Sequence, residues 1–176
     1  LRVWTCGCST GEEAYTIAML ALDVFARADR IPRLRILATD LHGASLQVAS
    51  QGVYSAESLA SVPPAWREKY FVLQPTGLYK VSDDLRRMVI FSVHNLLRDA
   101  AFTRIDIVTC RNVLIYFQPP AQVRALAAFH FALRSQGMLF LGESEGTGEL
   151  HDAFEPVDRE VRLYRKATGV QLPTEM

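Results

Sequence analysis

The opening stretch LRVWTCGCSTGEEAYTIAML constrains this chain most. Leu1 to Cys6 reads as a strand with too little polarity to face water on either side. Gly7-Cys8-Ser9-Thr10-Gly11 is a turn, and Glu12 to about Ala28 is a helix with apolar residues at Ala14, Ile17, Ala18, Ala21 and Phe25. A strand buried on both faces needs cover on both, which helices of an α/β fold supply. The pattern recurs. Leu34 to Thr39 is a second strand, ending at Asp40, and Gly43 to Ser50 a short helix stopped at Gly52. Val89 to His94 and Ile105 to Cys110 are the third and fourth strands. Gln122 to Leu133 is a helix with Gly137 in the position of a C-terminal cap, and Met138 to Gly142 a fifth strand. Residues 53–91 break the rhythm with Pro63-Pro64, a short helix around Trp66 to Phe71 and a small hairpin in VLQPTGLYKV. AFEPVDREVRLYRKA has two extended pieces, the pattern of a terminal antiparallel hairpin. The expected fold is α/β, a Rossmann-like parallel sheet with helices on both faces. Right-handed crossovers bring the strand C-terminal ends, and with them Gly11, Asp40, Asn95 and Arg111, to one edge, where ligands bind in such sheets.

The second telling segment is Cys110 to Phe117, CRNVLIYF, which presents a charge, an amide and a phenol where a strand gives way to a loop. Composition narrows the chemistry. Nineteen basic and nineteen acidic residues give zero formal net charge, so no global field favours nucleic acid or an anionic membrane. No run approaches the ~18 apolar residues of a membrane helix, and no signal-peptide pattern opens the chain. Cys6, Cys8 and Cys110 form neither a disulfide framework nor zinc spacing, and read as small buried residues in a reducing compartment. The four histidines have no metal spacing, and no metal is expected. His130, inside an apolar helix, reads as a core residue. The first residue is not Met and sits at a strand, so a further segment upstream is expected.

Each candidate site residue also has a structural reading. Gly7 and Gly11 permit a sharp turn and close approach of a ligand. Ser9 with Glu12, or Thr10 with Glu13, has capping-box spacing, so either glutamate can simply stabilise its helix, by roughly 0.3–1 kcal/mol. Two carboxylates beside the turn disfavour a pyrophosphate and favour a cationic ligand such as S-adenosylmethionine, with its ammonium and sulfonium. Asp40, 29 residues after Gly11, suits the two hydroxyls of a ribose, or caps the next helix. Asn95 can pair with an adenine edge, with Leu96 adding a backbone contact, or it can form a turn. Asn112 suits an amino-acid end. Arg111 can belong to the site or to a salt bridge. Tyr116, four residues on from Asn112, can line a reacting centre or fill the core.

GCSTGEEAYTIA, ILATDL, HNLL, CRNVLIYF and GMLFLGESE occur in the order and spacing of the CheR-type chemotaxis receptor methyltransferases, and from Leu1 to about Lys166 the chain resembles that family. The resemblance implies transfer of a methyl group from S-adenosylmethionine to glutamate side chains on the cytoplasmic helices of chemoreceptors, giving glutamyl methyl esters and S-adenosylhomocysteine. It implies a cytoplasmic enzyme that neither enters a membrane nor binds nucleic acid. Glu13, Asp40, Asn95 with Leu96, and Arg111 with Asn112 match cofactor-holding residues, and Tyr116 matches a tyrosine near the transferred methyl. Tyr116 and Arg111 are therefore the catalytic candidates. Gly7, Gly11 and Glu12 join the cofactor-binding set. The whole of 1–176 is expected to be one cofactor-binding domain, with 52–91 as an inserted β-subdomain. In some members that subdomain docks a receptor peptide; the loop near Gln74 to Tyr79 looks short for this. The family's N-terminal helical domain, with its arginine and basic receptor contacts, has no counterpart in this sequence.

Two other functions fit parts of the pattern. One is a catalytically weak or inactive module that binds S-adenosylmethionine within a larger signalling protein; the intact set from Glu13 to Tyr116 argues against it. The other is an NAD-dependent dehydrogenase, which the acidic turn and the terminal hairpin disfavour.

Overall fold

The computed structural model describes residues 1–170 and 172; the expected domain limit at Met176, with residues 171 and 173–176, lies outside the described residues. Along the chain run β1 (Arg2–Cys6), α1 (Glu12–Arg27), β2 (Arg35–Asp40), α2 (Gly43–Gln51), β3 (Val53–Tyr54), α3 (Pro64–Tyr70), β4 (Phe71–Leu73), β5 (Tyr79–Val81), α4 (Asp83–Arg86) and β6 (Val89–Val93). Then come β7 (Ile105–Cys110), a 3-10 turn (Leu114–Tyr116), α5 (Pro119–Ala132), β8 (Leu133–Leu141), a second 3-10 segment (Gly148–Ala153), β9 (Phe154–Asp158) and β10 (Leu163–Lys166). The fold is mixed α/β with mostly parallel central strands, and the chain forms two compact units.

One unit comprises Leu1–Gly7 and the chain from His94 onward. β1 runs parallel to β7, with Val3 opposite Ile107 and Cys6 opposite Cys110. β7 runs parallel to β8, which pairs antiparallel with β10, and β10 antiparallel with β9. The terminal hairpin is thus present and extends the sheet. Trp4 on β1 is fully buried and meets His94, Phe102 and Phe129 edge to face, with ring centroids 5.0–5.6 Å apart. Such a cluster fixes orientation as well as burying area.

The helix expected from Gln122 begins three residues earlier. Pro119 and Pro120 occupy its first turn, where a missing N–H costs nothing and the ring presets φ. It also ends sooner. Leu133 is already extended and starts β8, so Gly137 is not the C-terminal cap its position implied. The register between β7 and β8 jumps from Ile105–Leu133 to Ile107–Met138, which leaves Arg134 to Gly137 as a bulge. A Cβ on Gly137 would lie 2.9 Å from the Arg134 carbonyl and from the Leu133 side chain. The glycine serves close approach within a strand, and the two uses look alike in one dimension.

The other unit is Cys8–Val93. β2 and β6 pair in parallel, Ile36 opposite Val89 and Asp40 opposite Val93. Tyr15 on α1 is buried, donates its hydroxyl to the Ala49 carbonyl at 2.9 Å and packs edge to face on Tyr54 and Phe91. Arg86 ties α4 to its surroundings: its Nε donates to the Ser50 carbonyl, its Nη1 to the Val89 carbonyl, and its guanidinium lies over Phe91. Within residues 53–81, β5 lies between β3 and β4 in a small antiparallel sheet.

Candidate functional site

In the second unit the residues after β2 and before α1 come together. The N–H of Cys8 donates to the Thr39 carbonyl at 3.0 Å, and the N–H of Ser9 to Asp40 Oδ2 at 2.8 Å. Asp40 Oδ1 accepts from the His42 N–H at 2.9 Å. Two backbone donors therefore fix the carboxylate at the end of β2. Asp40 does not cap α2; the cap is His42, whose ring nitrogen accepts from the Ser45 N–H.

Neither expected capping box forms at α1. The cap is Gly11, at φ 94°, without a side-chain bond to the helix. The Thr10 hydroxyl donates to the Glu12 carboxylate at 2.7–2.8 Å instead. The physical reason is the turn itself. Ser9 is left-handed at φ 47° with its N–H held by Asp40, and the cap position falls on Gly11, which has no side chain to offer. Gly11 is packed closely: a Cβ there would stand 2.9 Å from Ala49 Cβ and 3.1 Å from the Tyr54 hydroxyl. That hydroxyl donates to the Thr10 carbonyl at 2.7 Å, and burial raises its pKa. Tyr54 supports the turn from a segment whose pattern gave no sign of it.

The field at this turn is negative. The buried Cys8 thiol is pushed up to about 12, first by burial and then by Asp40, with Glu13 and Glu12 adding to it. Three carboxylates oppose the positive end of α1. Such a place suits a cation and repels a phosphate.

In the first unit the loop after β7 gathers Arg111, Asn112 and Tyr116. Arg111 holds its guanidinium over the Phe140 ring, 5.2 Å from the centroid. Asn112 is left-handed at φ 58°, a conformation asparagine tolerates better than most residues. Tyr116 ends the 3-10 turn and is 80% exposed, so its hydroxyl belongs to no core. Gly7, at φ 66°, packs against this loop; a Cβ there would stand 2.3 Å from Val113 Cγ2. Asn95 and Leu96 lie on a separate loop of this unit. The Asn95 side-chain oxygen accepts from the Leu97 N–H at 3.0 Å and its own N–H donates to Asp99, so the turn-forming reading of Asn95 holds whatever else it does.

One residue of this loop's surroundings escaped the sequence reading. Glu145 is only 6% exposed. Its Oε1 accepts from the N–H groups of Val113 and Leu114, and its Oε2 from those of Asn112 and Gly142, at 2.7–3.0 Å. The signal was present in GESE, a buried strand's end followed by acid. Nothing in the pattern says that this acid turns inward. Among the described residues no group of His, Cys, Asp and Glu is placed to hold a metal ion, and no helix is long and apolar enough to cross a membrane.

Residues 1–163 match the family model described as CheR methyltransferase, SAM binding domain. A protein of Vibrio cholerae described as chemotaxis protein methyltransferase 2 is 35% identical over 98% of this chain and 59% of its own length. A 104.1 kDa protein of Rhodobacter capsulatus is 46% identical over 94% of this chain and 17% of its own length. The chain thus spans less than two thirds of these relatives. Among solved structures, PKMT2 from Rickettsia typhi in complex with AdoHcy shares the fold, with a TM-score of 0.50 and 15% identity over 80% of this chain and 20% of that one.

Proposed function

This chain belongs to the CheR methyltransferase family, as its SAM-binding domain, and from that premise we propose that it transfers the methyl group of S-adenosylmethionine to glutamate carboxylates on the cytoplasmic helices of chemoreceptors. The observation that carries the reading is the acidic turn. Burial first, then Asp40 with Glu13 and Glu12, raises the Cys8 thiol, and the three carboxylates at the start of α1 favour the ammonium and sulfonium of S-adenosylmethionine over the pyrophosphate of a dinucleotide. Each group has the chemistry to hold one part of that cofactor. Asp40, pinned by two N–H donors, keeps lone pairs for a ribose diol. Glu13, with Glu12 beside it, faces a cationic end. Asn95 and Leu96 take the adenine, and Arg111 and Asn112 the amino-acid end.

The cofactor supplies a methyl group already activated on a cationic sulfur. The acceptor glutamate is ionised at neutral pH, so the protein needs no general base. Its work is to align three atoms and exclude water, and alignment can lower a barrier by roughly 7–11 kcal/mol. Anion and cation neutralise each other as the reaction proceeds, which a dry site favours. Tyr116, exposed at the end of a tied loop, orients the reacting groups.

The test is methyl transfer from radiolabelled S-adenosylmethionine to cytoplasmic receptor fragments, read as base-labile methanol. Label in glutamyl esters is the expected result. Cofactor binding by calorimetry without transfer to any receptor fragment would leave a binding module instead. Binding of NADH in place of S-adenosylhomocysteine would overturn the reading altogether.

A further inference from the structure

The loop that carries Arg111, Asn112 and Tyr116 owes its shape to two side chains outside it. Four backbone N–H groups, three of them consecutive, converge on the single carboxylate of Glu145. On the opposite polarity, Gln122 of α5 donates through Nε2 to the carbonyls of Leu114 and Phe117, each at 3.0 Å. A left-handed Asn112 followed by one 3-10 turn offers few bonds of its own, so these side chains take the place of a secondary-structure ladder. The site is built closely. A Cβ on Gly142 would fall 2.7 Å from Glu145 Oε2 and 2.9 Å from Asn112 Oδ1.

We propose that Glu145 is a positioning residue, a buried anion that, with Gln122 as its counterpart, holds the 111–116 loop in the one conformation that presents Tyr116 for methyl transfer. Both carboxylate oxygens are needed, because each accepts from two donors. Glutamine in its place would turn an NH2 group toward two N–H groups and leave them buried and unpaired. The role of Tyr116 here rests on the function proposed above; the clamp itself does not.

Two measurements separate the two ideas. In the unliganded protein, Glu145→Gln is expected to speed amide exchange at Asn112, Val113, Leu114 and Gly142 while β1 and β7 keep their protection. In methyl transfer, Glu145→Gln is expected to lower kcat roughly 100-fold, the scale of a misplacement of about 1 Å. Tyr116→Phe should then cost little more in the Glu145→Gln background, whereas Asp40→Ala should cost as much there as in the native protein. A merely structural loss of stability in Glu145→Gln would lower turnover by the same factor with Tyr116 or with phenylalanine in its place, and leave the Tyr116→Phe effect whole. Should Glu145→Gln fail to fold, Gln122→Ala loosens the same loop from its carbonyl side and is read in the same two ways. Unchanged exchange at the four amides, or full additivity with Tyr116→Phe, overturns the clamp. Absence of cofactor binding by the native protein would overturn the proposed function and leave the exchange result to judge the clamp alone.

Discussion

Gly7 carries two constraints at once. Its φ of 66° lies where an L side chain costs roughly 1–2 kcal/mol, and the Cβ it lacks would overlap Val113 Cγ2 at 2.3 Å. Gly7→Ala should therefore lower the urea midpoint by more than the backbone term alone, at an unchanged m-value. Asp40 has the opposite character: its carboxylate is held by backbone donors and half-exposed. Asp40→Ala should weaken S-adenosylhomocysteine binding in calorimetry; unchanged affinity would remove it from the ribose. Tyr116→Phe should lower kcat and hardly move cofactor affinity. A large loss of binding instead would make Tyr116 a cofactor ligand.

Among the elements, α5 illustrates how packing changes what a residue does. His130 lies buried on it, edge to face with Phe154 of β9, and burial lowers its pKa, with the Lys166 charge of β10 acting the same way. The sign follows. Below about pH 6.5 the unfolded chain takes up a proton that the folded one resists, so stability is full above that pH and falls as acid is added. Urea unfolding at pH 5.5 and 7.5 should show the loss, and His130→Phe should reduce it. β8 shows the same lesson in backbone form. The sequence pattern marked Gly137 as a helix stop, and the fold uses it inside a bulge four residues into a strand.

For the molecule as a whole, cofactor binding and folding are linked. At a concentration 100 times its Kd, S-adenosylhomocysteine should add about 2.7 kcal/mol of stability, raising Tm by roughly 5–11 °C in a domain of this size. NADH at the same concentration should leave Tm in place. All three cysteines are buried, and Cys8 is held far from its thiolate form. The native protein should consume less than about one equivalent of a thiol reagent at pH 8, rising to three after denaturation.

The order of β1, α1, β2, α2, β6, β7, α5 and β8, the buried opening strand, the terminal hairpin and the residues at those strand ends were legible in the sequence; β3, α4 and the two 3-10 segments were not. The legible features rest on local periodicity and on turn chemistry, which neighbouring residues decide among themselves. The family followed from motifs whose order the chain itself displays. Partners distant in sequence were not legible. Glu145 sits 31–33 residues from three of the four amides it satisfies, and Tyr54 lies 44 from the carbonyl it binds. An acid in GESE looks the same whether it faces water or gathers four N–H groups. Only the folded chain decides, because the cost of leaving a buried donor unpaired arises only once the tertiary structure has excluded water.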